Sequence, residues 1–188
     1  MPQHLTILTG ASRGMGLAMA RQMLRPGHTL LCISRTAHAT LPQEAATLGC
    51  TLEQWDQDLA QPEQAAERLR AWLQRAPAGM FASATLINNA GVIPPIAPLS
   101  ASVPADLAMA LRVGLEAPML LCAAFLGATE DWGVPRKVLN ISSGLGRRPM
   151  ASQAAYCAAK AGMDHFTRCL ALDEALKPQG ARVCSLAP

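Results

Sequence analysis

Tyr156 and Lys160 stand four residues apart in the run YCAAK, so on a helix they share one face, one turn apart. Tyr156 is the only tyrosine in the chain. An unperturbed phenol has a pKa of about 10, too high for easy proton exchange near neutrality, and a neighbouring ammonium lowers it toward the working range. Ser143, thirteen residues before Tyr156 in NISSG, adds a hydroxyl that could bind a carbonyl oxygen as negative charge develops on it. Alone, a Tyr and a Lys at this spacing make an ordinary exposed helical face. Their meaning depends on what else the chain brings to them.

It brings a glycine turn. An apolar run at 5–8 is followed by TGASRGMG and then by an amphipathic helix to about Gln22. Gly10 lets the chain leave the strand tightly, while Gly14 and Gly16 let backbone approach a pyrophosphate and let the helix pack closely on the strand. The helix N-terminus offers free N–H groups and the positive end of its dipole to phosphate. The spacing is G-x-x-x-G-x-G rather than the dinucleotide fingerprint G-x-G-x-x-G, so the reading rests on mechanism; the bland alternative is a flexible Gly/Ser turn. Gly10, Ser12, Arg13, Gly14, Met15 and Gly16 are the expected ligand-facing residues of this turn.

A second apolar run, 28–34, completes a βαβ unit. At its end a protein that binds NAD places an acid on the ribose 2′-hydroxyl; this chain has Ser34, Arg35 and Thr36. An acid would repel a 2′-phosphate, whereas Arg35 with Arg13 could bond one, which points to NADP over NAD. The alternative is that both arginines are solvated surface. Beyond a third strand at 51–55, Asp58 could accept from an adenine amino group, beside Leu59, or could equally cap the following helix.

The remaining pattern continues to alternate. Helices are expected at 41–48 and 61–75, a fourth strand at 84–87 ending in Asn88, Asn89, Ala90 and Gly91, and an irregular loop at Pro94, Pro95 and Pro98. A long helix follows at 104–128, apolar on more than one face, then a fifth strand at 137–141, a helix at 152–176 and a sixth strand at 181–186. This is a single α/β domain, a Rossmann-type doubly wound parallel sheet whose ligands sit beyond the strand carboxyl ends.

Composition agrees. The chain of 188 residues is 51% hydrophobic and only 15% charged, against roughly 25% charged in ordinary soluble domains; a subunit interface would cover the excess apolar surface. The net charge of +3 is scattered, which argues against nucleic acid as the main partner. Six cysteines without a C-x-x-C pair and an N-terminus lacking a signal peptide favour reduced thiols and the cytoplasm. The four histidines are dispersed, so no metal site is expected. The most apolar stretch, 107–126, is interrupted by Arg112, Glu116 and Pro118, so no membrane span is expected.

Taken together, Thr9 with TGASRGMG, NNAG at 88–91, Ser143 in NISSG and Tyr156 with Lys160 in YCAAK closely resemble the short-chain dehydrogenase/reductase family over nearly the whole chain. ISSGLGRRP and YCAAKAGMDHFTRCLALD look most like its sepiapterin reductase and benzil reductase branch. The resemblance implies that Tyr156 is the general acid/base, that Lys160 binds the nicotinamide ribose and lowers the Tyr156 pKa, and that Ser143 orients the substrate. It further implies hydride transfer from NADPH to a small ketone, diketone or pterin-like carbonyl, with Asn89 and Gly91 lining the cofactor groove. A homodimer or homotetramer that pairs the two long helices is also implied.

Two departures stand out. Where the family carries a helical Asn that holds a water in the proton relay to the lysine, RVGLEAP has Gly114, which supplies no side chain and costs about 1 kcal/mol in a helix relative to Ala. The chain also stops at Pro188, where the family continues into a substrate-covering segment and a further strand, so the expectation is a domain truncated at its C-terminus. These departures support an alternative from another class: a catalytically silent NADP(H) sensor or scaffold. A P-loop phosphotransferase is excluded because no Lys-Ser/Thr pair follows the glycine turn.

Overall fold

Branched and apolar runs too short for helices become the strands of one sheet. The computed structural model describes residues 3–77 and 79–188. Its strands are β1 (Gln3–Thr9), β2 (His28–Ser34), β3 (Thr51–Asp56), β4 (Phe81–Asn88), β5 (Arg136–Ile141) and β6 (Arg182–Leu186). All are parallel, in the order β3-β2-β1-β4-β5-β6. This is the doubly wound Rossmann arrangement. The order reverses between β1 and β4, and such a reversal opens a crevice beyond the strand carboxyl ends. Register sets what meets there: Ile87 lies opposite both Leu8 and Leu139, so Gly10, Asn89 and Ser143 leave the sheet along one edge.

Two apolar layers hold the helices. On one face, α1 (Gly14–Met23) and α2 (Leu41–Thr47) cover Leu8, Leu30, Cys32 and Ile87. On the other, α3 (Pro62–Gln74) buries Ala65, Leu69 and Leu73 at fourfold spacing against Leu5, Ile7 and Leu86, the stripe of a helix with one apolar face. Pro62 opens α3, where its missing N–H costs nothing. Beside α3 lie α4 (Pro104–Leu111), α5 (Ala117–Ala128) and α6 (Ala154–Ala175).

The differences from the sequence pattern have local causes. β1 and β4 outrun their apolar cores because Phe81 pairs with Gln3 and Ser83 with His4; ladder hydrogen bonds do not require apolar side chains. α6 starts at Ala154 rather than 152 because Ser152 has φ +63°, outside the helical region. The helix expected across 104–128 is helical throughout, but residues Arg112–Glu116 form a π-helical turn between α4 and α5. Pro104–Ala128, 25 residues with mean hydropathy 1.6, is long and apolar enough to cross a membrane despite its interruptions, yet 56% of its most apolar window is buried in this fold. It therefore serves here as a core helix.

The far edge of the sheet is tied by buried charge. Arg136 and Glu174 are each almost fully buried, 4.0 Å apart. Arg136 also donates to the Gln179 carbonyl at 2.8 Å, and Glu174 accepts the Ala181 N–H at 2.8 Å. The pair thus joins β5, α6 and the turn into β6.

Candidate active site

The glycine turn is built by close approach and by backbone sign. Gly10 has φ +71°, and a Cβ there would stand 2.9 Å from the Ala90 Cα. At Gly16 a Cβ would fall 2.0 Å from the Gly10 carbonyl oxygen, so α1 can begin this close to β1 only without a side chain. Gly14 differs: open space surrounds it, and its requirement is φ +55°.

Side chains then fix the turn to its neighbours. The Thr9 hydroxyl accepts the N–H groups of Asn89 and Ala90 at 2.9 and 3.0 Å. The Asn89 amide donates to the Thr9 and Gly10 carbonyls at 3.0 and 3.3 Å. Ser34 accepts the Ala11 N–H at 2.9 Å. The ends of β1, β2 and β4 are therefore one hydrogen-bonded unit, held in shape before any ligand arrives.

Above this unit lies a cleft of about 450 Å³. Gly10, Ser12, Arg13, Gly14, Met15 and Gly16 form one wall, Ser34 and Arg35 with Asp58 and Leu59 the outer end, and Asn89, Ala90 and Gly91 the inner wall. Sequence reasoning missed Ile33, Gln57, Val92, Ile93, Met109 and Val113, which also line it; only the i, i+4 placement of Met109 and Val113 gave a readable signal. Asp58 accepts the Ala60 N–H at 3.0 Å. It shapes the turn before α3, whose N-cap is Gln61, so the helix-capping reading of Asp58 is replaced by a turn.

Outside this end a shelf of about 540 Å³ is shared by Ser12, Arg13 and Arg35 and floored by 36–39. Its loop is pinned to β3, because Ala37 N–H donates to Asp56 at 2.7 Å and His38 N–H to Gln54 at 2.8 Å.

The acid/base residues stand past the inner wall. Lys160 on α6 is buried, donates to the Ile141 carbonyl at 2.7 Å, and has its Nζ 5.8 Å from the centre of the Tyr156 ring. A Cβ on Gly91 would be 3.9 Å from that Nζ, which places Lys160 at the cleft's inner end. Burial lowers the Lys160 pKa, and the Asp164 carboxylate acts against that shift. Ser143, at the end of β5, accepts the Leu145 N–H at 3.2 Å, and its own hydroxyl donates to no group among the described residues.

Behind these groups runs a polar chain that no motif announced. Asn88 donates to Asn140 at 2.9 Å, Asn140 to Thr167 at 2.8 Å, and Thr167 to the Met163 carbonyl at 2.7 Å. All three side chains are buried, so β4, β5 and α6 are locked in one mutual position. The readable hint was an asparagine near the carboxyl end of each of two strands.

Gly114 sits in the π-helical turn, buried against α6, and a Cβ there would meet the Ala159 Cβ at 3.1 Å. Substituting Asn at 114 therefore does more than add an amide, because it presses on the residue before Lys160. Gly114→Asn is expected to destabilise the fold by about 1–3 kcal/mol, the usual cost of overpacking, measured by urea unfolding. Unchanged stability would show that the two helices yield freely.

Comparison with known proteins gives this architecture a place. Residues 4–188 match the short chain dehydrogenase family, and the chain belongs to that family of oxidoreductases. It is 32% identical over 182 residues to a benzil reductase ((S)-benzoin forming) of Bacillus cereus, covering 97% of this chain and 73% of that protein. It is 33% identical over 195 residues to sepiapterin reductase of Xenopus laevis, covering 98% and 72%. A short-chain dehydrogenase/reductase of Burkholderia vietnamiensis superposes with TM-score 0.86 at 37% identity, over 100% of this chain and 85% of that one. Among structures of equal TM-score, 0.86, a metagenomic oxidoreductase (30% identical, 100% and 83% covered) is in complex with NADP. A 3-oxoacyl-[acyl-carrier protein] reductase of Brucella melitensis (25% identical, 100% and 74% covered) is in complex with NAD.

Proposed function

We propose that the protein is an NADP(H)-dependent reductase of a small ketone, diketone or pterin-like carbonyl, acting in the cytoplasm as a homodimer or homotetramer. The observation that carries this reading is the meeting of Lys160 with Gly91 and the Ile141 carbonyl, which puts an acid/base helix at the inner end of a cleft shaped for a dinucleotide. The cleft suits that cofactor, because Gly10 and Gly16 leave backbone bare where side chains would stand and the N-terminus of α1 faces the opening. The similarity to benzil and sepiapterin reductases supports the carbonyl class.

When bound, the dinucleotide supplies the hydride. Tyr156 then gives its phenolic proton to the substrate oxygen, and the Ser143 hydroxyl bonds the same oxygen as it gains charge. Lys160, fixed by Ile141, holds its positive charge beside the phenol and would hold the nicotinamide ribose of a bound dinucleotide. Apolar exposed residues on α5 and α6 and at the end of α6, among them Met119, Leu172 and Leu176, support pairing of these helices between subunits.

The shelf at Arg13 and Arg35 supports NADP(H) over NAD(H), since both exposed arginines line it, where they could bond a 2′-phosphate, and its described lining holds no carboxylate. One charge-assisted contact is worth about 1.5–3 kcal/mol. Arg35→Gln is therefore expected to weaken NADPH binding about 10- to 100-fold and to leave NADH binding within about threefold, by fluorescence titration. Equal losses for both dinucleotides would remove Arg35 from 2′-phosphate recognition.

One observation favours a second reading, a silent NADP(H)-binding protein: Gly114 offers no side chain to a relay. Tight NADPH binding without consumption of any carbonyl would establish it.

A further inference from the structure

Asp164 is one helical turn beyond Lys160 on α6, with its side chain 10% exposed. Both of its carboxylate oxygens are buried and accept no hydrogen bond among the described residues. A bare carboxylate in such a place is costly unless positive charge compensates it. Two cations do so. Lys160 feels it across the turn, and the Arg147 Nε lies 3.8 Å from Oδ2, an ion pair rather than a hydrogen bond.

The same carboxylate touches the turn that carries Ser143. That turn is closed on itself: Leu145 N–H donates to the Ser143 hydroxyl and Gly146 N–H to the Ser143 carbonyl at 3.0 Å. A Cβ on Gly146 would fall 2.9 Å from Asp164 Oδ2 and 3.0 Å from the Lys160 carbonyl carbon and oxygen. The Ser143 turn therefore rests flat on α6 at the two residues Lys160 and Asp164. Arg148 on the turn and Arg112 and Glu116 on the π-helical turn are exposed. Arg168 bonds the Asp164 main-chain carbonyl. Besides Tyr156, the charged groups facing this corner among the described residues are Asp164, Lys160 and Arg147.

We propose that Asp164 is a positioning residue for the Ser143, Tyr156 and Lys160 centre: it is the buried carboxylate one helical turn from Lys160 and the seat on which the Ser143 turn rests. This deepens the reductase reading and depends on it for the catalytic consequence, whereas the electrostatic part stands on the chain alone. With Gly114 supplying nothing from the π-helical turn, Asp164 is the carboxylate one helical turn from Lys160 on α6.

The test uses the whole chain labelled with 13C at lysine Cε. Its three lysines, Lys137, Lys160 and Lys177, are assigned by Lys137→Arg and Lys177→Arg. In Asp164→Asn, Lys160 is expected to titrate at lower pH than in the unmutated chain, by about half a unit or more. Arg147→Ala removes a positive neighbour at an exposed side chain and is expected to move the midpoint upward, by less. A Lys160 midpoint that is the same in all three chains would overturn the proposal.

A second arm follows NADPH-dependent reduction against pH. In Asp164→Asn the alkaline fall of kcat is expected at lower pH with KM little changed, whereas a loss equal at every pH would mark Asp164 as packing alone and overturn its role. If the unmutated chain reduces no carbonyl, the reductase reading falls, and the lysine titration still decides the inference.

Discussion

Tyr156→Phe is expected to lower NADPH-dependent carbonyl reduction by about 10²- to 10⁴-fold, the range a positioned acid/base supplies, while NADPH binding and thermal stability stay within experimental scatter. The separation follows from the site. The Tyr156 ring is half-buried on α6, and Phe keeps that packing. Its hydroxyl bonds no group of the chain among the described residues, so its removal orphans nothing. Lys160 keeps its own anchor on Ile141 at 2.7 Å and needs no help from the phenol. Stopped-flow reduction and a fluorescence titration of NADPH would be made on the same preparation. Activity within twofold of the unmutated chain would take Tyr156 out of the mechanism.

Glu174→Ala is expected to cost about 3 kcal/mol of stability, the low end of the penalty for breaking a buried ion pair. In a domain of this size that lowers Tm by about 6–12 °C. Three losses add: Arg136, buried on β5, loses its carboxylate, the Ala181 N–H loses its acceptor, and Lys177 loses its ion pair at 2.9 Å. Glu174→Gln keeps an acceptor for that N–H and is expected to cost less, which separates charge from hydrogen bonding. Burial alone would raise the Glu174 carboxyl, but the Ala181 N–H, Lys177 and Arg136 hold it below its ordinary value. Its contribution is therefore complete above a pH of about 4.3, the unfolded value, and is lost as pH falls through the lower folded value. Equal Tm values for Glu174→Ala and the unmutated chain would show that the far edge of the sheet is held by packing alone.

The parallel sheet was legible because buried parallel strands leave near-continuous apolar runs punctuated by Gly and Pro. The glycine turn was legible for the same kind of reason: bare backbone is recorded directly as glycine. What the pattern hid were features that depend on two distant segments meeting. The π-helical turn at Arg112–Glu116 has no marker of its own beyond Gly114, whose role emerges only with Ala159 beside it. Asn140 and Thr167 look like any strand or helix polar residue until Asn88 completes their chain. Asp164 reads as an exposed helical acid, and only Gly146 pressing on it shows otherwise. Asp58 was ambiguous because the same side-chain oxygen could accept from an adenine amino group or cap a helix, and in the structure it accepts the Ala60 N–H in the turn before α3.

The centre of the account is that a dinucleotide cleft and an acid/base helix work together on a carbonyl. The most direct measurement is the loss of NADPH absorbance, near 340 nm for the reduced nicotinamide, when the chain meets a panel of ketones, diketones and pterins, with NADPH binding titrated in parallel. The account predicts saturable NADPH consumption with at least one of these substrates, matched by alcohol product and abolished by Tyr156→Phe. Tight NADPH binding with no consumption across the panel would contradict it and leave a protein that holds the dinucleotide without using it.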